Sequence, residues 1–236
     1  MIKLEHTVLP SSDQMEFVIE GMRNPMNSWE KSDSHTCRQD EAFCMECEHK
    51  NDYCLGENDY SLMKKLSYSG TDHRKFMRMM PVYVRITAPL YWWKEADTYK
   101  IGTVANSCST MHKIQEKEFT LDDFSHEHLV KTNLLDIIID DLNSNRTIYN
   151  DYDNQSDEFK AKFSKKDVWW QMIQLLPSSY NQTRNVMLNY EVLSNMYHSR
   201  KNHKLDEWKD FCKWIESLPL SYLITHREDK EDINNE

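Results

Sequence analysis

The sequence predicts an α+β fold, and three observations carry that expectation. Strand-like segments cluster early and helix-like segments late, an order that favours α+β over an alternating α/β fold. Residues 82–87 alternate Val82, Val84 and Ile86 with Tyr83, Arg85 and Thr87, the period of a strand with one buried face. Beyond residue 126, apolar residues recur at roughly helical spacing in successive stretches. With 236 residues, 39% hydrophobic and 29% charged, the chain can bury the core of one large domain, and its composition is not that of a disordered segment. Nothing marks a domain boundary within residues 1–226.

In chain order, residues 2–9 read as a strand. Ser11, Ser12 and Asp13 are good caps for a helix to about Arg23, with Met15, Val18, Ile19 and Met22 on one face and Pro25 as its stop. Residues 30–57 read as a polar, cysteine-bearing insertion without clear periodicity. Asn58 is the expected cap of a second helix carrying Leu62, Met63 and Leu66, which Gly70 closes. After the strand at 82–87 and Pro89, residues 90–99 suggest an aromatic helix led by Tyr91, Trp92 and Trp93. Helices are then expected over 127–143 (Leu129, Leu134, Leu135, Ile138, Leu142), 157–176 (Trp169, Trp170, Ile173), 186–199 and 205–217. Pro219 sets off a short last element ending near Thr225, and the acidic stretch 227–236 is expected to be a solvated, disordered tail.

The net charge of −10 and the lack of a basic stripe disfavour nucleic acid as the main partner, because phosphate contacts supply most of that affinity. The short basic clusters His73-Arg74-Lys75 and 198–204 look instead like pockets for a single anion. No apolar run has the length of a membrane span or the layout of a signal peptide, so a reducing, cytoplasmic setting is expected. In that setting the six cysteines read as thiols or metal ligands before disulfides.

Three segments, in this order, resemble the flavin-dependent thymidylate synthase family. Gly70-Thr71-Asp72-His73, with the strand after it and Ala88-Pro89, is similar to the family's Gly-His helix leading into a strand. Thr98-Tyr99-Lys100, then Asn106-Ser107-Cys108-Ser109-Thr110-Met111-His112, sits where the family has Arg-His-Arg and Asn-Glu-x-Ser-x-Arg-Tyr. Asn106 and Ser109 match strictly, with one inserted residue in the spacing. The stretch 193–200, with His203 to Lys209, resembles the family's Asn-x-x-x-x-Arg helix and the run after it; Leu176-Pro177 and Arg184 also fit. The stretch 24–29 and the tryptophan-rich second segment resemble divergent members from phage genomes.

The resemblance implies a small mixed or antiparallel sheet packed by helices, a mostly helical C-terminal half, and a homotetramer. It also implies an FAD-dependent methyl transfer to a pyrimidine nucleotide, dUMP or an analogue. The protein's part in that reaction is to hold flavin and nucleotide together and to stabilise negative charge on the pyrimidine, a task that suits guanidinium groups. Carried over by position, Lys100, Arg200 and Lys209 are the catalytic candidates. His73, Arg78, Asn106, Ser109, His198 and His203 are the cofactor-binding candidates. The chain departs from the family where Tyr99, Ser107 and Met111 stand for His, Glu and Arg, and where Glu191 replaces an Arg near the phosphate. Tyr91 to Trp93 could stack a flavin, though core packing at a helix start accounts for them as well. Asn106 and Ser109 could equally be turn residues bonding their own backbone.

Cys37, Cys44, Cys47 and Cys54 form C-x6-C-x2-C-x6-C, with His35 and His49 nearby. The inner spacing suits zinc, and four thiolates would close a structural tetrahedral site; thiols on a polar loop are the alternative. Cys108 and Cys212 look unrelated to it. Two functions from different classes therefore stand: a flavin-dependent nucleotide methyltransferase, or a catalytically silent nucleotide- or protein-binding protein on the same fold, such as a phage host-interaction factor.

Overall fold

The computed structural model describes residues 1–37 and 53–226. The chain gathers into two compact units. The first comprises Met1–Lys3, Ile86–Thr98 and Asn106–Asn185; the second comprises Leu4–Arg85, Tyr99–Ala105 and Val186–Glu236. The described elements run β1 (Lys3–Val8), α1 (Ser12–Arg23), β2 (His35–Thr36), β3 (Tyr53–Cys54), α2 (Glu57–Tyr68), β4 (Pro81–Pro89), α3 (Leu90–Ala96), β5 (Val104–Ser107) and α4 (Thr110–Lys113). They continue with α5 (Asn133–Asn150), α6 (Asp157–Lys162), α7 (Lys165–Leu175), β6 (Asn181–Asn189), α8 (Tyr190–Arg200), α9 (Asp206–Glu216) and α10 (Tyr222–Thr225). The fold is α+β, an antiparallel sheet packed by helices, as the sequence predicts.

The main sheet has the order β1-β4-β6-β5, and β2 pairs antiparallel with β3 in a separate two-stranded ribbon. β4 buries Val82, Val84, Ile86 and Ala88, the alternation read from sequence. Its partner β6 was not legible. Residues 186–199 were expected as one helix, yet Asn181–Asn189 is a strand and the helix starts at Tyr190. Val186, Tyr190, Leu193 and Tyr197 recur at steps of four and three, which imitates a helix across the junction. The strand itself is recognisable only by its alternate buried residues Val186 and Leu188. β5 also escaped prediction, because its four residues are all exposed and carry no periodic signal.

Three helix limits need correction. The cap expected at Asn58 lies at Gly56 instead. Asp33 reaches over from another part of the second unit and accepts hydrogen bonds from the Asn58 and Asp59 amides at 2.9 and 3.1 Å, so the first-turn donors are satisfied from outside the helix. The helix expected over 127–143 runs Asn133–Asn150, burying Leu135, Ile139 and Leu142 while Leu129 and Leu134 are exposed. The helix expected over 157–176 is two helices. Ser164 interrupts it by forming a capping box with Asp167, which starts α7 afresh.

Each unit has its own apolar interior. In the first, Ile114, Phe119, Phe124, Leu135, Ile139, Leu142 and Met172 form one cluster, with α5 packed on α7. In the second, α8 packs against the turn Lys75–Met79, α9 and α10, over buried Leu193, Met196, Trp208, Phe211 and Ile224. Full burial of one such side chain contributes about 1.5–3 kcal/mol. A buried polar hub also fixes the second unit. Asp59 Oδ1 accepts from Arg23 Nε at 2.6 Å. Asp59 Oδ2 accepts from the Ser32 and Ser34 hydroxyls and from the Asp33 and Ser34 amides. Burial alone pushes the Asp59 carboxyl up, but hydrogen bonds from Ser34, Ser32 and Arg23, with the Arg23 charge, hold it below its ordinary range.

Candidate functional site

The cluster with the most pointed chemistry lies in the second unit, where residues 99–103 meet α8 and α9. The loop is closed on itself by Thr103 Oγ1 donating to the Tyr99 carbonyl at 2.6 Å. Its turn needs Gly102, whose φ of +80° is left-handed and whose Cα faces the Asn189 side chain. Asn189 works at both ends. Its Oδ1 caps α8 by accepting from the Val192 amide at 2.9 Å, and its Nδ2 donates to the Gly102 carbonyl at 3.5 Å. The cap of the helix thereby positions the loop.

At the other end of α8, the Arg200 Nε donates to the Tyr99 hydroxyl at 3.0 Å. The guanidinium lies 4.8 Å from the Trp208 ring centre and 5.6 Å from that of Tyr99, so it is held by π-faces as well as by a hydrogen bond. A cation in the last turn of α8 also suits the helix dipole. Trp208 is fully buried, and the ring of His203 packs edge-on against it at 6.2 Å. His203 Nδ1 accepts from the Leu205 amide at 3.2 Å, which leaves the proton of the neutral ring on Nε2. Planar, oriented donors flanked by rings suit a flat, electron-rich ligand.

The other predicted residues are distributed unevenly. Lys100, in the same loop, is exposed and pairs with no described carboxylate. His73 and Arg78 are exposed on the segment after Gly70, whose φ of +99° closes α2 as expected. Lys209 is exposed and tied to Asp206 at 2.6 Å. His198 is half-buried with Nε2 on the Ile224 carbonyl at 3.0 Å, so it binds α8 to α10. Glu191 does not stand open to repel a phosphate. It is buried 2.8 Å from the Arg74 guanidinium, close enough for an ion pair although poorly aligned for a hydrogen bond.

Asn106 and Ser109 belong to the first unit. Asn106 is exposed on β5, and Ser109 caps α4 by accepting from the His112 amide at 3.2 Å, the local role that its residue type allows. Trp92 and Trp93 are buried, and Trp93 Nε1 donates to the Gln182 carbonyl at 2.9 Å, so these rings are packing residues. Arg184 is held by Asp97 at 2.7 Å and lies over the Trp93 ring at 4.1 Å. Of the four zinc candidates, Cys37 is buried and Cys54 half-buried at the β2–β3 ribbon, while Cys44 and Cys47 lie outside the described residues, as do His49 and the stretch 227–236. Among the described residues no group of three His, Cys, Asp or Glu side chains could hold a metal ion. Cys212 is an inert core thiol, pushed up to about 11 by burial and by Glu216.

Sequence reasoning missed Gly102, Asn189, Tyr99 and Trp208 as parts of this cluster. A glycine is scarce in this chain, with four in all, and Gly102 sits between two predicted elements, which is the signal that was present. Tyr99 reads in sequence only as a lost His. Its hydroxyl becomes meaningful once Arg200 is folded against it.

No protein-family model matches this chain, and no curated protein matches it in sequence. Solved structures do. A crystal structure of thymidylate synthase X (ThyX) from Helicobacter pylori with FAD and dUMP superposes with a TM-score of 0.61 at 15% identity, over 95% of this chain and 97% of that one. A second structure, the flavin-dependent thymidylate synthase ThyX from Helicobacter pylori complexed with FAD and dUMP, gives 0.56 at 16% identity, over 94% and 97%. At such identities the likeness establishes the fold.

Proposed function

We propose that this chain is a flavin-dependent thymidylate synthase-like protein that binds FAD and a pyrimidine nucleotide, dUMP or an analogue, and directs methyl transfer to it. One observation carries the reading: on a ThyX-like fold, the 99–103 loop and the end of α8 meet at the Arg200–Tyr99 contact, both segments being those that resemble the family. The donor set fits the ligands. His73, Arg78 and Lys100 are exposed cations or potential cations in the same unit, and none forms an ion pair with a described residue. They suit phosphate groups, while Arg200 offers planar donors to a pyrimidine carbonyl. FAD, when bound, supplies the hydride. Arg200 and Lys100 stabilise negative charge developing on the pyrimidine, and Trp208 keeps the guanidinium aimed by excluding water from one face. Lys209 assists once freed from Asp206. Asn106, Ser109, His198 and His203 are carried as cofactor-binding residues by resemblance.

The test is titration of the purified full chain with FAD, followed by absorbance near the flavin bands, and with dUMP, followed by calorimetry. Saturable binding of both is expected, and Arg200→Leu should weaken dUMP by at least about tenfold while FAD still binds. A protein that ignores FAD in both measurements refutes the reading. A second reading, a silent binder on the same fold, is favoured by the cations already spent: Arg74 on Glu191 and Lys209 on Asp206. Nucleotide binding without tritium release from 5-labelled dUMP supports that second reading against turnover.

A further inference from the structure

The first unit carries a pocket that the proposed function does not use. It has a volume of about 330 Å³ and is formed where α4, α5 and the first turn of α7 come together. Lys165 and Lys166 supply its cationic groups, His112 an imidazole, Tyr149 and Trp169 its other rings, and Gln115 an amide. The volume is at the small end of ligand-binding cavities. The geometry points to a binding site for a small aromatic phosphate, an anion carrying one flat ring.

The framework of the pocket is fixed while its charges are not. Trp169 Nε1 donates to the Met111 carbonyl at 2.9 Å, which locks the indole against α4. Trp169 and Tyr149 pack against the unit's apolar cluster, so both rings are held on one side. The α5 end is tied to the segment just after α4 by Asn150 Nδ2 donating to the Gln115 carbonyl at 3.0 Å. Lys165 Nζ lies 4.9 Å from the centre of the Tyr149 ring, and neither Lys165 nor Lys166 pairs with a described carboxylate. Of the nearby acids, Glu116 pairs with Lys113, and Asp167 forms the capping box with Ser164 while also feeling the Lys166 charge. Two lysines and a histidine in a pocket whose lining holds no carboxylate favour a phosphate, and locked rings favour a stacked partner. Gln115 Oε1 is buried in the pocket wall without a hydrogen-bond partner. The inference stands on residues other than those proposed to hold FAD and dUMP.

The experiment is calorimetric titration of the full chain with phenyl phosphate, with inorganic phosphate and phenol as separate probes. We expect saturable one-to-one binding of phenyl phosphate, tighter than either probe alone. Lys165→Gln/Lys166→Gln should weaken it at least about tenfold. Trp169→Leu should also weaken it, and Trp169→Phe should restore part of the loss. Arg200→Leu, in the other unit, should leave it unchanged. Both lysines are exposed, so the double variant should fold, and its circular dichroism spectrum checks this. Absence of saturable binding, equal binding by the double lysine variant, or inorganic phosphate binding as tightly as phenyl phosphate would each overturn the inference.

Discussion

Replacing Gly102 by Ala tests whether the loop that carries Tyr99 is positioned by the cap of α8. Two costs can be worked out. The φ of +80° places a non-glycine residue in the left-handed region, at about 1–2 kcal/mol. The new Cβ would also lie 2.7 Å from Asn189 Nδ2. That atom is the end of a short side chain, yet it cannot swing away without withdrawing Oδ1 from the Val192 amide, and loss of an N-cap costs about 1 kcal/mol. Gly102→Ala should therefore destabilise by about 2–3 kcal/mol in urea unfolding. Asn189→Ala by itself should cost about 1 kcal/mol. The double variant should cost about 1 kcal/mol less than the sum of the two, because the cap is then lost only once. Calorimetry with dUMP on the same proteins should show weaker binding for Gly102→Ala, since Tyr99 shifts with the loop. A Gly102→Ala loss under about 0.5 kcal/mol, or strict additivity in the cycle, would refute the argument that Asn189 joins loop and helix.

Further outcomes follow from the buried charges and caps. Asp59→Ala leaves Arg23 buried without its carboxylate and should cost about 3–5 kcal/mol in denaturant unfolding. Because the Asp59 carboxyl is held below its ordinary value of 3.8, its stabilisation is present above that pH and lost as pH falls through the lower folded value, so Asp59→Asn should flatten the acid limb of a stability–pH profile. Glu191→Ala should cost about 3 kcal/mol by stranding Arg74, whereas Arg74→Met with Glu191→Leu should be near neutral by thermal unfolding. Ser164→Ala should cost about 1 kcal/mol and raise amide exchange in the first turn of α7, where the capping box is lost.

Local signals decided what was legible. Ser11 caps α1 as read, with its capping box to Gln14, and Met15, Val18, Ile19 and Met22 are buried together because a helix repeats every 3.6 residues whatever it packs against. The alternation in β4 was equally local. The resemblance to flavin-dependent thymidylate synthases was carried by scattered residues such as Asn106, Ser109 and Arg200, enough to anticipate the fold although few side chains of the signature survive.

Tertiary structure decided the rest, because the deciding partners are far apart in sequence. β6 is a strand through its place between β4 and β5 in the sheet; its own residues spell a helix as readily. Gly56 starts α2 because Asp33, more than twenty residues earlier, satisfies the first-turn amides. Glu191 reads in sequence as a charge facing a phosphate, and becomes Arg74's counter-ion only when α8 packs on the 70–79 segment. Arg200 was named from sequence, but its hold by Tyr99 and Trp208 was not, since neither residue carries a sequence mark of meeting a guanidinium. Period and cap chemistry act within a few residues and are written in the chain; which charges face each other is settled only when packing brings distant segments together and burial raises the cost of leaving any of them unpaired.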